Sequence, residues 1–185
     1  SFRHCHYRAQ LQIKEQHVKD CLQRIGNFTP STDYPIEFLS ILGMDSPENY
    51  RNKAIFPFGT DKKGNILCGF YRKNSHDIIE VSKCGLENPM AEKIRNAVLN
   101  FAKKYNLSAY NEETNKGLLR SLMVRTSYAD SNAMVVLVVS GKMPRINEFI
   151  SCLISACPFV ASIYINTNNK PGNTIMSNDF SLIYG

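Results

Sequence analysis

The sequence predicts an α+β fold, a mostly antiparallel sheet with two helices packed on one face, preceded by an N-terminal amphipathic helix. Three observations carry this. Short runs rich in aromatic and β-branched residues recur between turn-forming residues, as strands require. Two later segments repeat apolar residues at helical spacing. Their order is three strands, helix, two strands, helix and closing strands, which suits an antiparallel sheet covered on one side.

The elements follow in chain order. From Tyr7, the apolar positions Leu11, Val18, Leu22 and Ile25 recur at helical spacing, and Gly26 stands where a capping glycine is expected. Residues 27–48 are rich in Pro, Ser, Thr and Asp around a short apolar cluster at 38–42 and read as a connection. The organisation expected is therefore a helix at 1–26, a linker at 27–48 and a main domain at 49–185. Within it, 50–58 and 66–72 form a hairpin turned by Lys62, Lys63, Gly64 and Asn65, and 77–81 is a third strand of the same meander. Asn88-Pro89 opens a helix with Met90, Ile94, Ala97, Phe101 and Tyr105 on its core face, and Lys93, Arg95, Lys103 and Lys104 largely elsewhere. A second hairpin spans 118–126 and 133–140, and Pro144 starts a helix that buries Phe149, Ile150, Leu153 and Ile154. A strand at 159–165, a polar turn at 166–173 and a final pair at 174–176 and 180–184 complete the domain.

Of the 185 residues, 43% are hydrophobic and 21% charged, the balance of a globular chain and not of a disordered one. The net charge of +6 and a pI near 9.0 favour a polyanionic partner, although a merely basic surface has the same composition. No apolar run reaches the ~20 residues of a membrane helix, so no membrane partner is expected. The six cysteines form no compact disulfide framework, which fits a reducing cytoplasm; Cys21 and Cys152 sit on apolar helical stripes as small buried residues. Ser1 in place of an initiator Met, and a strand-like segment running up to Gly185, suggest a piece of a longer protein.

The chemistry on view is that of binding. No glycine-rich strand-to-helix turn for a cofactor stands out, and Gly59, Gly64, Gly69, Gly117 and Gly141 read as turn or bulge residues. His4, Cys5 and His6 invite a metal, but adjacent residues rarely converge on one ion. Basic residues interleave with aromatics at Tyr50, Arg51 and Lys53, and again at Phe70, Tyr71, Arg72 and Lys73, with His76 close behind. Such strands can grip phosphates and stack unpaired bases. Alternating inward aromatics and outward cations would give the same pattern without a ligand.

The stretches Tyr50-Arg51-Asn52-Lys53-Ala54, Gly69-Phe70-Tyr71-Arg72-Lys73, Ser75-His76 and Val81-Ser82-Lys83-Cys84 resemble, in order and spacing, the central region of the RNA (uracil-5-)-methyltransferase family. Gly117-Leu118-Leu119-Arg120, Met123-Val124-Arg125, Met134-Val135-Val136-Leu137-Val138, Ser162-Ile163 and Tyr184-Gly185 extend the likeness over nearly the whole chain. The resemblance implies S-adenosylmethionine-dependent methylation of uridine C5 in ribosomal or transfer RNA, with RNA and not DNA as partner. It places the catalytic groups and the cofactor in a Rossmann-like domain expected after residue 185, so that this chain alone has no catalytic or cofactor-binding residue and should be inactive. It makes Arg51, Lys53, Tyr71, Arg72, Arg120 and Arg125 the RNA-facing candidates, and replacing Arg51 or Arg120 by Ala is expected to weaken RNA binding without unfolding the domain. It also matches Cys84 to the fourth ligand of a 4Fe-4S cluster whose other cysteines would precede Ser1, leaving Cys84 a free thiol here, or else a plain buried cysteine. The helix at 7–25 leans on the catalytic domain in that family, so its apolar face could pair with another copy in a non-physiological dimer. A noncatalytic RNA-binding or assembly module is the alternative.

Overall fold

The computed structural model describes all residues except 1, 3, 29–36 and 173; parts of the expected connection and of the polar turn thus lie outside the described residues. The chain divides into two compact units, Ser1–Pro47 and Glu48–Gly185.

In the first unit, helix α1 (Tyr7–Asp20) widens into one π-helical turn at Cys21–Ile25. Gly26 N–H closes that turn onto Cys21 O at 3.0 Å, and Phe28 N–H reaches Leu22 O at 3.0 Å. Gly26 does not supply the left-handed cap expected of it: its φ is −78°, and Asn27, with φ 52°, takes that role. A glycine suits position 26 for space, since an added Cβ would lie 2.8 Å from Leu22 O and 2.7 Å from the Phe28 ring. The returning segment runs beside the helix, with Met44 N–H donating to Tyr7 Oη at 2.7 Å. Val18 and Ile25, on the stripe the sequence marked as apolar, are 55% and 80% exposed.

The second unit carries a six-stranded sheet in the order β2-β1-β5-β6-β7-β8. Its strands are β1 (Lys53–Thr60), β2 (Ile66–Cys68), β5 (Leu119–Thr126), β6 (Ala133–Val139), β7 (Val160–Thr167) and β8 (Phe180–Tyr184). Every pairing is antiparallel except β6 with β7, which are joined by helix α3 (Ile146–Ala156). A helical crossover returns the chain to the end of the sheet where it began, so the next strand must run parallel. Helix α2 (Pro89–Lys104) is capped by Asn88, whose Oδ1 accepts from Met90 N–H at 2.9 Å. Both helices pack on one face, where Phe56, Ile94, Leu122, Val135, Leu137, Phe149 and Ile163 form the core. Each such side chain contributes about 1.5–3 kcal/mol by leaving water.

Five expectations are corrected. The segment expected as one strand at 66–72 breaks at Gly69, where an added Cβ would stand 2.1 Å from Ile79 O. Beyond the break, β3 (Phe70–Tyr71) pairs only with β4 (Ile78–Ile79) as a separate two-stranded ribbon, so the third strand does not join the sheet. Residues 174–176 form no strand; β8 pairs with β7 instead. Arg95 is buried at 5% exposure, not outward: its Nη2 donates to Val81 O at 2.8 Å and its guanidinium lies 5.5 Å from the Phe56 ring centre. Cys152, expected on a buried stripe, is exposed, because α3 directs only Phe149 and Leu153 fully inward.

Candidate nucleic-acid interface

Strand alternation sends one set of side chains to the helices and the other to the opposite face of the sheet. On β1 that second set is Lys53, Ile55 and Pro57; on β5 it is Ser121, Met123 and Arg125. Pro57 is the partner of Ser121, and Lys53 of Arg125. Met123, Val136 and Val138 make a small second core on this face with Ile55, Met134, Tyr164 and Met176.

Met176 arrives on a loop that returns from β7 across the sheet. Two fully buried asparagines hold it. Asn166 Nδ2 donates to Asp179 O at 2.9 Å and to Ser177 O at 3.1 Å, while its Oδ1 accepts from Ser177 N–H at 3.0 Å. Asn168 Nδ2 donates to Thr174 O at 2.6 Å. Arg120 holds the tip: Nη1 donates to Asn168 O at 2.9 Å and Lys170 O at 2.7 Å, and Nη2 to Gly172 O at 3.0 Å. Its guanidinium also stacks 4.4 Å from the centre of the Tyr110 ring.

Across from this loop stands the β3–β4 ribbon. Its turn closes through Ser75 N–H to Arg72 O at 3.1 Å and Arg72 N–H to Asp77 O at 2.8 Å, with Asn74 in the left-handed region at φ 58°. Tyr71 meets His76 edge to face, with ring centres 5.8 Å apart. Between ribbon and loop lies a cleft of about 750 Å³, floored by Ile55, Pro57 and Ser121 and walled by Tyr71, Arg72 and Ile175. A neighbouring lobe of about 420 Å³ shares Tyr71, His76, Glu112 and Arg120 with it. Burial and the Glu112 charge push the Tyr71 hydroxyl above its usual value, against the pull of Arg120.

Of the candidates drawn from sequence, Tyr71, Arg72 and Arg120 meet at this cleft. Lys53 and Arg125 stand together further along the same face, both exposed, and among the described residues no carboxylate lies within ion-pair distance of either. Arg51 is not at the cleft: it is exposed and bridges in parallel to Glu87, beside the segment that follows Cys84. Burial raises the Glu87 carboxyl above its ordinary value, opposed first by Arg51 and then by Arg95. Sequence reasoning passed over Glu112, Ser121 and Ile175, because nothing local distinguishes a turn glutamate or a strand serine that only the tertiary fold brings to a cleft.

Cys84 is half-buried. Among the described residues no three His, Cys, Asp or Glu side chains converge on a possible metal position, the His4-Cys5-His6 run included. A four-iron cluster takes four ligands, so the described residues do not by themselves fit one. Burial raises the thiols of Cys68 and Cys157, which makes both unreactive. No helix of the described residues is long and apolar enough to cross a membrane.

Fold and face together define an α+β sheet domain with a cleft walled by aromatic and charged side chains. No protein-family model matches the chain. Curated proteins do: an uncharacterized RNA methyltransferase of Staphylococcus aureus (strain MRSA252) is 36% identical over 183 residues, 98% of this chain and 39% of the relative. An uncharacterized RNA methyltransferase of Clostridium tetani is likewise 36% identical over 98% of this chain and 38% of its own length. Among solved structures, the tRNA (uracil-54, C5)-methyltransferase of Pyrococcus abyssi, crystallised with S-adenosyl-L-homocysteine, superposes with a TM-score of 0.68 at 20% identity, over 97% of this chain and 39% of that one. The chain is a homologue of the RNA methyltransferases throughout the region it spans, and that region is 39% of the first relative's length.

Proposed function

We propose that this chain is the RNA-holding central part of a cytoplasmic, S-adenosylmethionine-dependent RNA (uracil-C5) methyltransferase acting on ribosomal or transfer RNA. The observation that carries the reading is the pair Lys53 and Arg125, like charges set directly opposite on an exposed sheet face. Opposed like charges destabilise a sheet, and a phosphate between them turns the cost into affinity. Arg72 and Tyr71 continue the surface toward the cleft, where a backbone phosphate meets the cation and an unpaired base meets the ring. Arg51 adds charge at the start of β1, and Arg120 acts mainly by holding the loop that walls the cleft.

In this reading S-adenosylmethionine, bound elsewhere in the parent protein, supplies the methyl group. The residues of this chain bind the RNA strand and set its direction relative to that site. Cys84 stands in the proposal as one ligand of a four-iron cluster completed by other residues of the parent. Iron content of the parent and of its Cys84→Ser variant tests that assignment.

Methyl transfer from labelled S-adenosylmethionine to unmodified bulk RNA, with this chain compared with the gene's full open reading frame, tests the whole. Activity in the longer protein only is the expected result. Activity in neither, with RNA binding retained, would point to the noncatalytic RNA-binding module instead.

A further inference from the structure

Resting on that RNA-holding role, we propose that the cleft beside Tyr71 takes a single unpaired guanine nucleotide of the RNA and reads its identity through Glu112. The floor is apolar at Ile55 and Pro57, and Ile175 closes one side while itself 48% exposed. Tyr71 is 51% exposed and braced by His76, which leaves a flat aromatic surface against which a base can lie. The adjoining ribbon turn exposes Arg72 and Lys73, so a nucleotide seated on the ring has cations at hand for its phosphate.

Base identity follows from Glu112, which among the described residues is the one carboxylate that borders both lobes of the cleft, Asp77 and Glu113 bordering the smaller lobe alone. An ionised carboxylate only accepts hydrogen bonds. The pairing edge of uracil offers it one N–H flanked by two carbonyl oxygens, which repel it. Adenine and cytosine each offer one amino group beside an acceptor nitrogen. Guanine alone presents two adjacent donors, N1–H and the 2-amino group, which match the two carboxylate oxygens side by side.

Glu112 is carried on a loop that is held in place before any ligand arrives. Asn111 Oδ1 accepts from Glu113 N–H at 2.9 Å and Thr114 N–H at 2.8 Å, and Asn111 N–H closes the loop onto Lys116 O at 2.7 Å. Tyr110 Oη donates to Asn115 Oδ1 at 2.9 Å. A preformed loop loses little entropy when it binds. Ser121 Oγ, on the floor, has no hydrogen-bond partner among the described residues and is a further polar group that a base can engage once Ile175 shifts.

Fluorescence anisotropy tests this with the whole 185-residue chain and labelled single-stranded RNA hexamers: all-uridine, one with a single guanosine, and one with inosine at that position. The guanosine hexamer is expected to bind roughly tenfold tighter than all-uridine, the discrimination of one bidentate base contact, and inosine, lacking the 2-amino group, to lose most of that gain. Glu112→Gln should bring the guanosine hexamer down to the all-uridine level, and Tyr71→Phe should keep the preference that Tyr71→Ala loses. Equal binding of all three RNAs, or a preference that survives Glu112→Gln, would overturn the guanine site while leaving the RNA-holding role standing. Failure of every RNA to bind would overturn both.

Discussion

Lys53 and Arg125 face each other as direct partners across β1 and β5, on the side of the sheet turned away from the helices. Stability and binding pull in opposite directions at this pair. Lys53→Glu would convert repulsion into a cross-strand ion pair and is expected to raise unfolding stability by about 0.2–1 kcal/mol. The same change should weaken RNA binding and flatten its dependence on salt by about one unit of the log–log slope or more. Urea unfolding and anisotropy titrations over a salt series check the two arms.

Arg120 ties the loop after β7 through three carbonyls, at Asn168, Lys170 and Gly172. From sequence, its replacement by Ala was expected to spare the fold. The geometry adds a local cost to that: Arg120→Ala should lower stability by roughly 2 kcal/mol, the worth of charged hydrogen bonds partly compensated by water, while the domain stays folded. Amide exchange should speed up through 168–172 in particular. Arg120→Lys should not restore protection, because an ammonium cannot span the same fork of acceptors or stack on Tyr110.

Gly69 lets β3 turn away from β2. With an added Cβ only 2.1 Å from Ile79 O, Gly69→Ala must push the ribbon off its seat, at a cost of about 1–3 kcal/mol. The urea midpoint should fall, and the Tyr71 and His76 ring signals in NMR spectra should move toward their unfolded positions.

Glu87 is buried at 6% exposure and burial raises its carboxyl above the unfolded value. The folded state therefore holds the proton more firmly than the unfolded state. This contribution to stability is present in full below the unfolded pKa and is lost as pH rises through the folded one. Stability is expected to decline as pH rises from the ordinary glutamate value toward the raised folded one. Glu87→Gln should flatten the curve in that window; an unchanged slope would remove Glu87 as its source.

The helical stripe of α2, the two hairpins and the closing strand were legible in the sequence because each is set by local periodicity and turn residues. Gly69 shows the limit. It read as a turn or bulge residue within one strand from 66 to 72, but its meaning depends on Ile79 O, ten residues away, and on which sheet the chain joins afterwards. Arg95 shows another: helical spacing placed it with the solvent-facing cations, and only the approach of Val81 O and the Phe56 ring gives its charge a place inside.

By itself, the sequence determined the α+β class, the order of elements, the basic character and the likeness to RNA methyltransferases, since these depend on pattern and composition. The tertiary structure decided that Lys53 meets Arg125, that Arg120 is committed to a loop some fifty positions on, and that Tyr71, Glu112 and Ser121 border one cleft. The physical reason is register. Strand pairing and loop return join residues far apart in the chain, and which residues meet is settled by packing the whole sheet at once, not by any stretch of sequence alone.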